Sequence, residues 1–258
     1  MQICKAVSKD FWEEFWQDES VSSPLREFFF DDILNSLPYS KDKTMIELGC
    51  VPGDNLVHLY NLLGYKPEGI DYSDKTEFVK KRLERFGITD AGIIKADIFS
   101  YEFEKEYDLV FSQGLVEHFK DPTAVLLKHK ELAKPGGWIF IAVPNFRYFH
   151  YLARFIADRD NLKKHNTLLM SARRLKRYIK QIGIEIIYCG YHGDFKFWLM
   201  DRKTDKLSMF RKELVWKAAG TIEKLYRYRF LKGRKTPFFS PWVVLLGRKP
   251  FLAGEKKQ

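Results

Sequence analysis

A chain of 258 residues, set against a typical domain of about 150, has room for one large domain with an appendage and not for two equal folds. Its 45% hydrophobic and 30% charged residues supply enough apolar side chain to bury a core, which excludes an extended disordered chain. The net charge of +10 is unevenly spread: residues 1–140 carry 17 Lys and Arg against 25 Asp and Glu, and residues 141–258 carry 27 against 9, so the basic half calls for a partner or a surface.

In chain order, Phe11, Trp12, Phe15 and Trp16 share one face of a helix in a segment, residues 1–40, that precedes the first strand. That segment is expected to act as a helical lid that also packs. Thr44 to Leu48 reads as a short buried strand, Asp54 to Leu63 as a helix, and Glu68 to Ile70 as a second strand closed by Asp71. Ser73 or Asp74 can cap a helix running to Arg85, because Phe78, Val79, Leu83 and Phe86 follow helical spacing. Gly92 to Lys95 and Tyr107 to Ser112 give strands three and four. A helix then follows Asp121-Pro122 to about Ala133, and Lys134-Pro135-Gly136-Gly137 stops it. Trp138 to Val143 has the continuous apolar character of a central strand covered on both faces. Ile184 to Tyr188 and Ser240 to Lys249 complete the strands. No internal repeat, low-complexity tract or flexible linker appears.

Strands alternating with helices predict an α/β fold with a mostly parallel sheet and helices on both faces. Ligands bind such sheets at the carboxyl ends of the strands, and five of those ends are informative. Gly49-Cys50-Val51-Pro52-Gly53 is a glycine turn entering a helix, where a ligand can approach the backbone closely. Asp71, 22 residues beyond Gly49, stands where a carboxylate would accept hydrogen bonds from two ribose hydroxyls. Asp97-Ile98-Phe99 offers a carboxylate, a backbone amide and an apolar face to a purine. Ser112-Gln113-Gly114-Leu115-Val116-Glu117-His118 and Val143-Pro144-Asn145-Phe146 follow strands four and five. A nicotinamide dehydrogenase would need G-x-G-x-x-G, and this loop has G-x-V-x-G-D.

These five ends, in this order and spacing, resemble the class I S-adenosylmethionine-dependent methyltransferases over roughly residues 40–190. The resemblance implies a Rossmann-like seven-stranded sheet and S-adenosyl-L-methionine as cofactor. It implies that Glu47, Gly49, Cys50 and Gly53 surround the methionine part and that Asp71 holds the ribose. Tyr72 would flank the purine, Asp97, Ile98 and Phe99 would contact it, and Ser112, Gln113 and Leu115 would line the sulfonium end. Val51 departs from the glycine common at that position, and a β-branched residue disfavours positive φ and crowds the ligand side.

The implied chemistry is displacement at the sulfonium methyl by an acceptor oxygen, nitrogen or carbon, with oxygen favoured. A hydroxyl acceptor needs a base, and His118 is the residue placed for it; the plainer reading is a structural hydrogen bond. The segment also resembles ubiquinone-biosynthesis O-methyltransferases with a Glu-x-x-Glu-His metal site, but Gly114 replaces the first carboxylate, so no metal is expected. His150, His165 and His192 read as surface or packing residues.

Basic insertions at about 145–170 and 191–238 face the acceptor. In the second, Leu207, Phe210, Leu214, Ala218, Ile222 and Leu225 form one helical stripe. It can serve a lipid surface or simply pack on the sheet. Arg173, Arg174, Lys176, Arg177 and Lys180 make an ordinary solvated helix face. The expected acceptor is a small or lipid-linked anionic molecule, with peripheral membrane contact open and nucleic acid disfavoured, since no RNA-binding module accompanies the basic and aromatic residues. Two other readings remain: a catalytically silent module that keeps the fold, and an RNA methyltransferase. The sequence does not fix oligomeric state.

The opening residues MQICKAVSKDFWEEFW lack the apolar stretch and cleavage site of a secretory signal. Cys4, Cys50 and Cys189 are an odd, scattered set that excludes a disulfide framework or a zinc cluster. Both features make the cytoplasm the expected location.

Overall fold

The computed structural model describes residues 7–199, 205–227 and 232–251, so Cys4 lies outside the described residues. Helices α1 (Lys9–Phe15) and α2 (Asp31–Leu34) precede the sheet. Then come β1 (Thr44–Leu48), α3 (Asp54–Leu63), β2 (Lys66–Asp71), α4 (Thr76–Arg85), β3 (Gly92–Lys95) and β4 (Tyr107–Gln113). A 3₁₀ turn (Val116–His118) leads to α5 (Thr123–Leu132) and β5 (Ala133–Pro144). The second half adds α6 (Phe149–Ala157), α7 (Arg159–Leu162), α8 (Ala172–Gln181), β6 (Glu185–His192), α9 (Lys206–Tyr226) and β7 (Trp242–Arg248).

The seven strands form one sheet in the order β3-β2-β1-β4-β5-β7-β6. The pairs from β3 to β5 are parallel, while β7 runs antiparallel to both β5 and β6. Strand alternation sends successive side chains to opposite faces, and here each face has its own core. Met45, Phe111, Phe140 and Val244 join α3 and α4 on one side; Ile46, Val110, Ile141 and Val243 join α5 and α8 on the other. This double coverage is why the strands read as continuous apolar runs. The topology reverses between β1 and β4, whose neighbouring carboxyl ends open the crevice where ligands bind.

Three local expectations need correction. The helix expected from Ser73 or Asp74 begins at Thr76 without a side-chain cap; Ser73 Oγ instead accepts from Lys75 N at 3.0 Å and closes the turn before it. Pro135-Gly136-Gly137 does not separate helix from strand but belongs to β5, where the pairing with β4 shifts register and Gly136 takes φ +73. The stripe on α9 does not pack on the sheet. The helix buries Val215, Ala219 and Tyr226 in a third cluster with Ala153 and Ala157 of α6 and Phe195 and Phe197.

The segment before β1 is pinned across the sheet end. Arg82 is fully buried and donates through Nε to Asp54 Oδ1 at 2.6 Å, through Nη1 to Ser20 O at 3.0 Å and through Nη2 to Pro24 O at 3.2 Å. With a further contact from Nη1 to Val21 O at 3.4 Å, one guanidinium thus meets three backbone carbonyls and a carboxylate, holding residues 20–24 against α3 and α4. Helix α1 is held more lightly. Lys9 meets the exposed Asp74 at 2.9 Å and Lys164 Nζ stands 3.7 Å above the Phe11 ring, contacts of a kind that contribute little at a solvated surface.

Candidate active site

At the carboxyl ends of β1, β2 and β4 a cleft is walled by Gly49, Asp71, Tyr72, Asp97, Ile98, Gln113 and Leu115, with Trp12 and Trp16 of the N-terminal segment over it. Gly49 takes φ +75, a conformation that favours glycine, and the Leu115 side chain packs where its Cβ would stand, with Cδ1 at 3.4 Å. Asp71 Oδ1 accepts from Ser73 N at 2.9 Å and Oδ2 from Val51 N at 3.4 Å. Each oxygen keeps lone-pair capacity for a further donor. Burial raises this carboxyl above its ordinary pKa, while the Ser73 and Val51 amides oppose that shift.

Beneath the loop, Glu47 accepts from Asn55 Nδ2 at 2.7 Å, and its Oε2 is buried without a partner. Burial pushes its carboxyl up to about 8, the expected response of an acid denied water and a cation. Val51 is not among the residues with positive φ. Its side chain is buried in the core while also bordering the cleft, so the backbone objection to valine falls and only its bulk remains.

The cleft continues into a chamber of about 740 Å³ walled by Trp12, Phe15, Phe29, Phe146, Trp198 and Trp242, with Glu117, His118 and His165 among the polar groups. His118 borders both spaces. Its Nδ1 lies 3.1 Å from Lys164 O. A carbonyl only accepts, so Nδ1 carries the proton and the neutral ring presents the Nε2 lone pair. Burial lowers its pKa to about 4, against the raising effect of that hydrogen bond. His165 is arranged alike, with Nδ1 2.8 Å from Asn161 O and a pKa pushed down to about 3 by burial and by His118; the two rings are 4.5 Å apart. Glu117 Oε1 is 3.9 Å from His118 Nε2, Oε2 has no partner, and burial pushes this carboxyl up to about 8, leaving it mostly protonated near neutrality.

Glu117, His118 and His165 together offer three donor atoms within 4.8 Å of one another. Gly114 supplies no carboxylate, as the sequence expects, but His165 arrives from the inserted segment and makes a third donor the motif did not show. Two ligands of one zinc ion stand at most about 4 Å apart, so the set would have to contract to hold one.

Of the positions singled out in the sequence, Gly49, Asp71, Tyr72, Asp97, Ile98, Gln113 and Leu115 meet at the cleft. Five others lie behind its wall. Glu47 lies under the loop, and Cys50 is buried in the core as a free thiol. Gly53 takes φ +98 at the start of α3. Phe99 packs on Phe119 with ring centres 5.7 Å apart. Ser112 is fully buried against His129 Nε2 at 2.8 Å, so it braces β4 against α5. For Glu47 and Ser112 the cause is strand alternation, which sends neighbours of a lining residue into the core; Cys50, Gly53 and Phe99 lie in the turns after β1 and β3, whose path directs them away from the cleft.

Residues 22–188, well over half of the chain, match a methyltransferase domain family. The chain belongs to that family. The chain is 33% identical over 150 residues to a ubiquinone biosynthesis O-methyltransferase of Nitrosomonas europaea, covering 55% of this chain and 62% of the relative. It is 24% identical over 229 residues to pavine N-methyltransferase of Thalictrum flavum subsp. glaucum, covering 83% and 63%. The chain therefore spans a little over six tenths of the length of these curated relatives. Among solved structures, geranyl diphosphate C-methyltransferase from Streptomyces coelicolor A3(2) shares the fold with a TM-score of 0.55 at 15% identity, covering 85% of this chain and 74% of that one. The names of these relatives cover oxygen, nitrogen and carbon acceptors, so they leave the acceptor atom of this methyltransferase open.

The cleft suits S-adenosylmethionine. The orphaned Glu47 Oε2 lacks a donor, Asp71 has capacity for a pair of hydroxyls, and Ile98 with Leu115 gives apolar walls. The cofactor side itself measures about 100 Å³ and opens into the larger chamber, with Trp12 and Trp16 bordering both. What the sequence missed is on the acceptor side: His165, Trp198 and Trp242 come from segments with no motif, and only the aromatic character of the N-terminal helix gave a signal.

Proposed function

We propose that the methyltransferase transfers a methyl group from S-adenosylmethionine to a hydroxyl oxygen of a small or lipid-linked acceptor with a bulky apolar body. The observation that carries this reading is His118, which stands at the junction of cofactor cleft and chamber with Nδ1 tied to a carbonyl and Nε2 left to accept a proton. When bound, the cofactor supplies an electrophilic methyl on a positively charged sulfur. Asp71 would hold its ribose hydroxyls, Asp97 and Ile98 its base, and Glu47 its ammonium end from beneath the loop.

The chain's own residues then act on the acceptor. Aromatic walls from Phe146, Trp198 and Trp242 desolvate and orient it, which supplies much of the acceleration in a displacement of this kind. His118 Nε2 takes the hydroxyl proton, and the protonated Glu117 stands ready as a donor beside it. The chamber does not favour a free anion: Arg26 is paired with Glu19 and with Asp54, and Lys196 with Glu27. Any negative charge on the acceptor belongs outside these walls.

The test is transfer of labelled methyl to a panel of phenols and alcohols with apolar bodies, beside amines of matched size. Hydroxyl acceptors should be methylated, with the rate falling by about a hundredfold or more in His118→Gln and cofactor affinity unchanged. Transfer confined to amines, or a His118→Gln protein with an undiminished rate, would overturn the reading.

A further inference from the structure

The second insertion presents a face that the acceptor chemistry does not use. At about 100° per residue, the side chains of α9 that pack on α6 (Val215, Ala219 and Tyr226) fall within a narrow sector. Leu207, Phe210, Leu214 and Leu225 occupy another sector, centred about 120° away. They are 57%, 65%, 55% and 53% exposed. The stripe runs about 27 Å along the helix at 1.5 Å per residue. Single exposed apolar residues are ordinary; four large ones on one stripe mark an interaction surface.

Charge decides among occupants. Lys206 and Lys224 lie along one border of the stripe and Arg211 along the other, all three exposed. The chain from residue 141 onward carries 27 Lys and Arg against 9 Asp and Glu. An apolar strip bordered by cations on both sides complements a surface that is apolar inside and anionic at its edge. The interface of a bilayer with anionic lipids is such a surface, and long basic side chains can reach its headgroups while the strip enters the acyl boundary. The neighbouring helix α6 also turns Tyr151, Leu152 and Phe155 to solvent. Among the described residues no helix is long and apolar enough to cross a membrane, so the contact would be superficial.

We infer that the α9 stripe docks the protein on anionic lipid bilayers through Leu207, Phe210, Leu214 and Leu225, with Lys206, Arg211 and Lys224 gripping the headgroups. The inference does not depend on which acceptor is methylated, because the stripe is separate from the cleft and the chamber.

The full chain is sedimented with vesicles of phosphatidylcholine alone and of phosphatidylcholine mixed with phosphatidylglycerol. Two variants accompany it: Phe210→Ser with Leu214→Ser, and Lys206→Ala with Arg211→Ala and Lys224→Ala. All positions are exposed, and melting temperature and cofactor affinity, which should not change, serve as controls for folding. The wild-type protein should bind the mixed vesicles and leave the neutral ones, and release should follow added salt. The triple cation variant should lose about a hundredfold in partition coefficient, and the serine variant should lose binding to the mixed vesicles. The inference is overturned if the wild-type protein stays in solution with anionic vesicles or if both variants bind like wild type. It is equally overturned if sedimentation velocity shows a dimer that the serine variant splits and that vesicles do not displace, since the stripe would then serve a second copy of the chain.

Discussion

Replacing Asp71 with Asn tests the cofactor site at its most constrained point. The carboxylate receives Ser73 N at 2.9 Å on Oδ1 and Val51 N at 3.4 Å on Oδ2, and the Tyr72 amide also favours its charged form. Both oxygens would still have to accept from the ribose. An amide retains a single acceptor oxygen. If it stays on Ser73 N, the NH₂ group is turned toward Val51 N–H, donor against donor, and one ribose hydroxyl loses its acceptor. The loss is one charge-assisted bond together with the weakening of another, about 2 to 4 kcal/mol in all. That corresponds to a dissociation constant raised roughly 30- to 1000-fold. Calorimetric titration with S-adenosylmethionine and its demethylated product measures this directly, with thermal melting to show that the turn survives. A dissociation constant within threefold of wild type, at unchanged stability, would refute the assignment and place the ribose elsewhere.

Three further outcomes follow from the same structure. Because burial holds His118 at about 4, the base is already unprotonated well below neutrality, so the rate at low substrate should fall only as pH approaches 4 and stay level from about 6 upward; a rise through pH 8 that His118→Gln leaves intact would instead assign the proton to Glu117. His129 is fully buried, with ring nitrogens at 2.7 Å from Val125 O and 2.8 Å from Ser112 Oγ, and burial lowers it to about 4. Its contribution to stability is present above the unfolded value of about 6.5 and is lost as pH falls toward 4, roughly 2 kcal/mol of it by pH 5. Denaturant unfolding at pH 8 and pH 5 should therefore show wild type losing that much more than His129→Gln, the other buried histidines cancelling in the comparison, and parallel losses would contradict it. Finally, prolonged chelation should leave turnover unchanged if His118 Nε2 serves as base; activity abolished by chelator and restored by a divalent ion would make Glu117, His118 and His165 a metal site.

The fold was legible because its strands are covered on both faces and its turns carry positional signals. Thr44 to Leu48 and Asp54 to Leu63 have no other reasonable reading, and the sheet topology then forces Gly49, Asp71, Asp97 and Gln113 to one edge whatever the details. Ser112 turns into the core because adjacent strand residues face opposite ways and a motif does not say which, while Cys50 and Phe99 sit in turns past their strands, where a motif's spacing does not fix side-chain direction. The acceptor chamber was hardly legible. Phe146, His165, Trp198 and Trp242 are far apart in sequence and meet only through the packing of the insertions. On α9 the eye goes to large residues, whereas the contact with α6 is made by Val215 and two alanine-sized neighbours, Ala153 and Ala219, because close helix packing wants small side chains there.

Helix α1 roofs both spaces: Trp12 and Trp16 border the cofactor cleft and the acceptor chamber alike. One element therefore borders two spaces, and on the proposed function the arrival of one substrate would bear on that of the other. The nucleoside would enter with the helix turned aside, and its return would complete the aromatic wall against which the acceptor would rest. Turnover should accordingly be sequential and ordered, with the methyl donor first on and its spent form last off, so that the residence time of that product, rather than the transfer itself, paces the catalytic cycle.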